Sequence, residues 1–387
     1  MRSVIFTAQN RLSILQNGAE YFPALIQAID SANIEIYFET YIFSRDDVGT
    51  TVKDALKRAA ERGVAVHVIT DWLGTGRTFG AVLEIEMERA GIAHRTFNPW
   101  FRWGVVRSHR KICVVDGETA FVGGINITDD FRYDYDRKQL LPAPRWDFAV
   151  KIAGPLVAHI HHEAEAQWAR VGKLSLISRI ELFRQMRSIP ERVAGKPGLA
   201  GFVVRDNLHN RRTIQRSYMR ALGVAKKSVF IANPYFAPGR RFRNAIARAT
   251  ERGVEVTILL GVGEFILQDS VAQSFYPKLL KDGVKLYEYR KTQLHGKVAV
   301  VDDVWSTVGS SNVDGLSLFL NQEANVVIKD AAFALSLRQH IEAAIADGVV
   351  VEYADFEHVG RFRRIGYEIA FFAYKLAMRV FAVGKYA

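Results

Sequence analysis

His109-Arg110-Lys111-Ile112-Cys113-Val114-Val115-Asp116 and His295-Gly296-Lys297-Val298-Ala299-Val300-Val301-Asp302 are two copies of one pattern, H-x-K-x4-D. Six residues separate each Asp from a small pair that is followed, one residue further on, by an Asn, as Gly123-Gly124-Ile125-Asn126 and as Gly309-Ser310-Ser311-Asn312. A single H-x-K-x4-D would arise by chance in very roughly one chain of this length in fifty. Two copies with the same sequel are not a coincidence. The histidines lie 186 residues apart, nearly half of the 387-residue chain, so the sequence reads as an internal duplication.

The elements around the two copies repeat in the same order. In the first half a strand is expected at residues 12–15, a helix at 19–32, a strand at 34–43, a helix at 52–62 and a strand at 64–70. A helix across 81–90 and a strand at 92–97 then lead to the first motif. In the second half a helix at 212–225, a strand at 228–236, a helix at 242–252 and a strand at 254–260 follow the same rhythm. A helix near 270–281 and a strand at 284–289 lead to the second motif. Glu61-Arg62-Gly63-Val64 and Glu251-Arg252-Gly253-Val254 match residue for residue at nearly the same offset. Strands alternating with helices predict α/β halves with largely parallel sheets, sandwiched by helices and related by a pseudo-twofold axis. The expected domains are residues 1–187 and 201–350, joined by a Pro/Gly-rich linker at 188–200. Residues 351–387 form a basic tail. Phe131 to Pro144 reads as an insertion peculiar to the first half, of the kind that builds lids or substrate walls.

A formal charge of +11 and a pI near 9.6 favour polyanionic partners, either nucleic acid or a membrane rich in acidic lipid. One cysteine, Cys113, excludes disulfide scaffolds and Cys-based zinc sites; it sits in an apolar run and is expected to be a small core residue. No long apolar core marks a secretory signal, and no stretch approaches the roughly 18 residues of a spanning helix. In the tail, Ile365, Ile369, Phe372, Leu376, Val380 and Val383 fall on one helical stripe, widened by Phe371, Tyr374, Met378 and Phe381, with basic residues opposite. That pattern suits a helix in a membrane interface, the alternative being a helix docked on the core. Trp100, Phe101, Trp103 and Val105, just before the first motif, carry the same two readings: lipid contact or core packing.

Residues two apart on a strand face the same side, so His109 projects with Lys111 and His295 with Lys297. A buried His and Lys on one face call for an anion between them. Asp116-Gly117 is a good hairpin turn, and Asp303 marks its less ideal counterpart. Gly124 and Ser310 allow backbone to approach a ligand, and Asn126 and Asn312 offer amide donors. Two such half-sites converging on one anion make a phosphodiester site. One His can attack phosphorus to give a phosphohistidine, while the other protonates the leaving oxygen and then deprotonates the incoming alcohol or water. Lysines and asparagines neutralise the equatorial oxygens, a task that elsewhere falls to metal ions. No carboxylate or His cluster shows metal-ligand spacing, and no metal or other cofactor is called for.

The duplicated H-x-K-x4-D with G-[GS]-x-N resembles the phospholipase D superfamily. Leu294-His295-Gly296-Lys297, Asp302-Asp303, Val308 to Asp314, Leu316-Ser317-Leu318 and Asn321 to Val326 resemble the bacterial cardiolipin synthases, in the shorter branch without N-terminal spanning helices. Arg205-Asp206-Asn207, Asn233-Pro234-Tyr235-Phe236 and Glu39 to Phe43 fit as well, so the resemblance covers about residues 10–350. It implies two similar domains, each a mixed β-sheet flanked by helices, with one site at their interface, and a ping-pong transfer of phosphatidyl through phosphohistidine, with His109 as nucleophile. The expected substrate is phosphatidylglycerol on an anionic membrane, the product cardiolipin with release of glycerol, and the place the inner face of a bacterial cytoplasmic membrane. Nucleic acid is not expected as a partner. A hydrolytic phospholipase D, a transphosphatidylase for other alcohols and a nuclease are the alternatives. The resemblance further implies that an acid orients each histidine, Glu323 behind His295 and Asp147 behind His109, while Asp116 and Asp302 anchor the motif rather than react. Gly124 stands where many members carry Ser.

Overall fold

The computed structural model describes residues 4–133, 139–172, 197–207, 210–357, 366–367 and 369–376. The strands are β1 (Phe6–Thr7), β2 (Arg11–Gln16), β3 (Glu35–Thr40), β4 (Ala65–Asp71), β5 (Ala93–Phe97), β6 (Ile112–Val115), β7 (Thr119–Gly123) and β8 (Phe148–Ala153). They continue with β9 (Ala200–Arg205), β10 (Ser228–Asn233), β11 (Glu255–Gly261), β12 (Lys285–Tyr289), β13 (Val298–Val301), β14 (Trp305–Gly309), β15 (Glu323–Ile328) and β16 (Gly348–Val351). One sheet runs β2-β8-β7-β6-β3-β4-β5, the other β1-β9-β15-β14-β13-β10-β11-β12-β16.

Leaving out β1 and β16, the two orders are the same, strand for strand, and β6 and β13 begin 186 residues apart like the histidines. In each sheet three strands pair in parallel and the rest antiparallel. The sheets are therefore mixed, as the resemblance implies, with fewer parallel pairs than the alternation of strands and helices alone suggests. The reason is local: the tight turns after Val115 and Val301 send the chain straight back instead of through a crossover helix. Both turns have two central residues at positive φ, Asp116 (53°) with Gly117 (66°) and Asp302 (54°) with Asp303 (55°), the hairpin geometry that matches strand twist.

Helices α1 (Asn17–Asp30), α2 (Asp47–Glu61) and α3 (Arg77–Arg89) cover the outer face of the first sheet, over a core that includes Ile36, Val68, Cys113 and Val115. Helix α2 starts five residues before the expected point because the Asp46 carboxylate accepts the Gly49 N–H at 2.8 Å and caps it. Helices α5 (Thr213–Val224) and α6 (Arg240–Glu251) do the same for the second sheet, as do α7 (Ile266–Gln273) and α8 (Tyr276–Lys281). The inner faces meet: Ile112, Val114, Phe148 and Val150 pack in one cluster with Phe230, Val298, Val300 and Val308. Helices α4 (Leu156–Val171) and α9 (Ala331–Ala346) close that layer at its flanks. The alternation along β6 and β13 thus feeds two cores at once, one residue outward and the next toward the other sheet.

The linker expected at 188–200 lies outside the described residues up to 196. Before it, β1 pairs with β9, so the first described residues of the chain extend the second sheet. In the tail, Ala370 is buried, the Phe371 ring meets Phe275 edge-on at 5.3 Å, and the Tyr374 hydroxyl accepts the Gly315 N–H at 2.6 Å. Ile369, Phe372 and Leu376 on the opposite side are exposed by 64, 67 and 53%. The described stretch therefore docks by its flank and still presents an apolar stripe outward. Ile365, Met378, Val380, Phe381 and Val383 fall outside the described residues.

Candidate active site

The catalytic stretches begin before the strands. His109 to Lys111 and His295 to Lys297 are extended lead-ins to β6 and β13, and each is pinned to the opposite half by a short parallel bridge, Ser108 with Gln322 and Leu294 with Trp146. The His109 N–H donates to the Gln322 carbonyl and the His295 N–H to the Trp146 carbonyl, both at 2.9 Å. Gln322 and Trp146 are the residues just before Glu323 and Asp147. Each bridge therefore sets the acid of one half beside the histidine of the other.

The pairing is crossed. His295 Nδ1 lies 2.6 Å from Asp147 Oδ2, and His109 Nδ1 lies 3.1 Å from Glu323 Oε2. This overturns the assignment of Glu323 to His295 and of Asp147 to His109. The nearest acid along the chain is not the nearest in space, because β8 and β15 start against the other half at the interface. Both acids are almost fully buried, Asp147 at 1% exposure and Glu323 at 0%.

The two supports differ. Glu323 Oε2 also accepts the Ser310 hydroxyl at 2.5 Å, and His109 Nδ1 has a second neighbour in the Ser310 carbonyl at 3.0 Å. At the equivalent place in the first half stands Gly124, where a Cβ would run into the Asp147 carboxylate. Asp147 takes the space a serine would need; its other oxygen accepts the Phe148 N–H at 2.8 Å. The absent hydroxyl noted in the sequence is thus a matter of room.

Lys111 Nζ donates to the His109 carbonyl at 2.8 Å, and Lys297 Nζ to that of His295. Lysine and histidine of each motif are thereby held as one unit. Burial lowers the His109 pKa from its usual value, and the charges of Lys111 and of Lys297 from the other half lower it further, against the pull of Glu323. Burial alone would raise Asp147, but the attraction of His295 and Lys297 outweighs it and its pKa falls. The charge of Lys297 thus reaches the His109 imidazole from the other half. The Tyr41 ring meets His109 edge-on at 4.9 Å and lies 5.2 Å from Lys111 Nζ.

Asn126 and Asn312 are buried at the ends of the return strands. Asn126 Oδ1 accepts the Ile42 N–H at 3.3 Å, while Asn312 Oδ1 has no hydrogen-bond partner among the described residues. Asp116 and Asp302 sit at the far ends of β6 and β13. Asp116 accepts three backbone N–H groups, of Asn33, Ile34 and Glu35, each at 2.9 Å. Asp302 accepts those of Lys226, Lys227 and Ser228 at 2.7–3.0 Å. They tie each hairpin to the start of β3 or β10.

Sequence reading passed over the second rank of the site. Arg110, 1% exposed, forms ion pairs with Glu39 at 3.1 Å and Glu163 at 3.0 Å. Glu39 accepts the Ser108 hydroxyl at 2.5 Å, and Gln167 Nε2 donates to Gln322 Oε1 at 2.6 Å. A charged residue between His and Lys of the first motif, where the second has Gly296 under the Trp146 ring, was the available signal. Trp100, Phe101 and Trp103 are 67, 45 and 46% exposed; Trp100 and Phe101 pack about Trp72, with Arg77 over Trp100, and the Trp103 ring meets Phe97. They form an apolar ledge, and the core-packing reading of them falls.

Among the described residues, no helix is long and apolar enough to cross a membrane, and no group of three or more His, Cys, Asp or Glu could hold a metal ion.

The family model described as cardiolipin synthase, phospholipase D-like domain, matches residues 25–137 and 218–345, one match in each half. Cardiolipin synthase B of Salmonella typhimurium is 38% identical over 346 residues, covering 87% of this chain and 81% of that protein. Cardiolipin synthase B of Escherichia coli is 36% identical over 353 residues, with the same coverage. A crystal structure of phosphatidylserine synthase from Haemophilus influenzae superposes with a TM-score of 0.74 over 98% of this chain and 97% of that one, at 16% identity, which is likeness of fold.

Proposed function

This chain belongs to the cardiolipin synthase family with phospholipase D-like domains, and we propose that it joins two phosphatidylglycerol molecules at the crossed histidine pair. It is a phosphatidyltransferase. The observation that carries the mechanism is the clamping of each imidazole through Nδ1 by an acid of the opposite half, which makes Nε2 the reacting nitrogen of both.

His109 is the nucleophile. Its lowered pKa keeps it neutral, and Glu323 holds the tautomer that places a lone pair on Nε2. Nε2 bonds to the phosphorus of one phosphatidylglycerol as the bond to its glycerol oxygen breaks. His295 gives that oxygen a proton, and the short contact with Asp147 stabilises the imidazolium before the transfer. Glycerol leaves. The terminal hydroxyl of a second phosphatidylglycerol then loses its proton to His295 and attacks phosphorus, the N–P bond breaks, and cardiolipin is released. Lys111, Lys297, Asn126 and Asn312 bind the equatorial oxygens, where charge develops in a site shielded from water.

The protein works as a peripheral protein on the inner, anionic face of a bacterial membrane. The outward stripe of the tail helix and the Trp100–Trp103 ledge enter the lipid, and basic residues near the surface add on the order of 1 kcal/mol each. The test is purified protein with labelled phosphatidylglycerol in mixed micelles, the products resolved by mass. Cardiolipin and glycerol in equal amounts are expected. Phosphatidic acid alone would replace this reading by hydrolysis.

A further inference from the structure

A cavity of about 240 Å³ lies beside the second motif. Its floor is made where β10, β11 and β12 end, the carboxyl edge at which open α/β sheets collect ligands. Leu294, next to His295, is part of its lining, and Tyr133 and Pro142 of the first-half insertion close it from the other side. The volume equals roughly eight waters, too little for a lipid and enough for a small polar head group.

The lining is polar in a particular way. Tyr235 donates its hydroxyl to Glu264 at 2.8 Å, and Thr292 donates to the Ala143 carbonyl at 2.6 Å. Gln293 is 94% buried, its exposure being 6%. Arg145 Nε donates to its Oε1 at 2.8 Å, which turns the amide nitrogen the other way. That Nε2 is buried and has no hydrogen-bond partner among the described residues. A buried donor left unmet is costly, and a ligand oxygen would meet it. Asp269 and Arg290 also line it, but Asp269 accepts the Gly263 N–H and Arg290 is paired with Glu288. That leaves a carboxylate acceptor and an amide donor around one small space, a set that suits a molecule with neighbouring hydroxyls.

We infer that this cavity binds the glycerol head group of phosphatidylglycerol, as leaving alcohol in the first step and as acceptor in the second. The inference rests on the transfer reaction proposed above and adds the residues that choose the alcohol: Gln293, Tyr235 and Glu264. The same cavity serves both steps because the second is the first run backward with a different glycerol. Its lining runs up to Leu294, the residue before His295, the histidine that carries the proton.

The experiment uses the full chain, a short-chain phosphatidyl-p-nitrophenol as donor, and glycerol or ethanol as competing acceptors. Wild type should prefer glycerol. Gln293→Leu and Tyr235→Phe should each reduce the glycerol-to-ethanol product ratio about tenfold, the effect of one lost hydrogen bond. Tyr235→Phe keeps the ring that packs near Phe265 and guards against a folding artefact. A ratio within twofold of wild type in both variants overturns the inference. So does a parallel fall for both alcohols, which would mark a structural role. If wild type transferred to neither alcohol, the proposed function itself would fall, a result distinct from either.

Discussion

The unequal support of the two histidines makes a quantitative prediction. In Asp147→Asn the carboxylate 2.6 Å from His295 Nδ1 becomes an amide with one neutral acceptor and one donor. The pair is buried, at 6% and 2% side-chain exposure, so water cannot repair it. The imidazole is left in the wrong tautomer, or with an imidazolium that nothing stabilises. The equivalent change in serine hydrolase triads costs about 10⁴-fold in kcat, and a loss of 10³- to 10⁴-fold is expected here. Glu323→Gln should cost only about 10- to 100-fold, the difference between a charged and a neutral hydrogen bond. The Ser310 carbonyl, 3.0 Å from His109 Nδ1, still accepts its proton and keeps the tautomer. Turnover of phosphatidylglycerol in mixed micelles measures both losses. Proton NMR of the imidazole N–H groups then identifies the partner: Asp147→Asn should abolish the His295 signal and leave that of His109, with Glu323→Gln acting only on His109. Equal kinetic losses, or a Glu323 variant that moves the His295 signal, would refute the crossed pairing and its two strengths.

Gly124→Ser should fail to restore the pattern of related proteins, because its Cβ meets the Asp147 carboxylate; kcat should fall at least tenfold and Tm by several degrees, checked by turnover and thermal melting. The pKa of His109, lowered by burial first and then by Lys111, puts the acid limb of kcat/KM below the 6.5 of a free histidine. Lys111→Met removes positive charge, so that limb should move to higher pH while kcat falls; a pH profile on a short-chain substrate shows the direction. Replacing Ile369, Phe372 and Leu376 together by Ser should weaken binding to anionic vesicles at least tenfold with little change in Tm, whereas Phe371→Ala, which loses the contact with Phe275, should lower Tm. Unchanged sedimentation of the triple variant with vesicles would remove the tail from the membrane.

The repeat was legible because it is written in local signals. Turn residues at Asp116-Gly117 and Asp302-Asp303, apolar runs of four and the common offset mark strands β6 and β13 and their return hairpins without any knowledge of the partner half. The anchoring role of Asp116 and Asp302 was legible for the same reason, since they bind backbone of their own half. In the tail, the period showed the outward stripe of Ile369, Phe372 and Leu376. It did not show that Phe371 and Tyr374 fasten the helix, because a flank of aromatics reads alike whether lipid or core receives it.

The crossing of the acids had no local signal. A duplication states which positions correspond, Asp147 with Glu323 and His109 with His295, and is silent on which copy faces which. Chain proximity then favours the wrong pairing. What decides it is the pair of short bridges, Ser108 with Gln322 and Leu294 with Trp146, that join each histidine lead-in to the residue before the opposite acid. These bridges involve backbone, so almost any residue could make them, and neither Gln322 nor Trp146 stands out in the sequence. Their consequence is mechanical. Any movement between the halves must pull both histidines off both acids together, because each bridge fixes a catalytic N–H and its neighbouring carboxylate in one stroke. Half of this chain would carry a histidine with no acid and a buried acid with no histidine, and the cost of that unpaired carboxylate is itself a force that holds the halves closed.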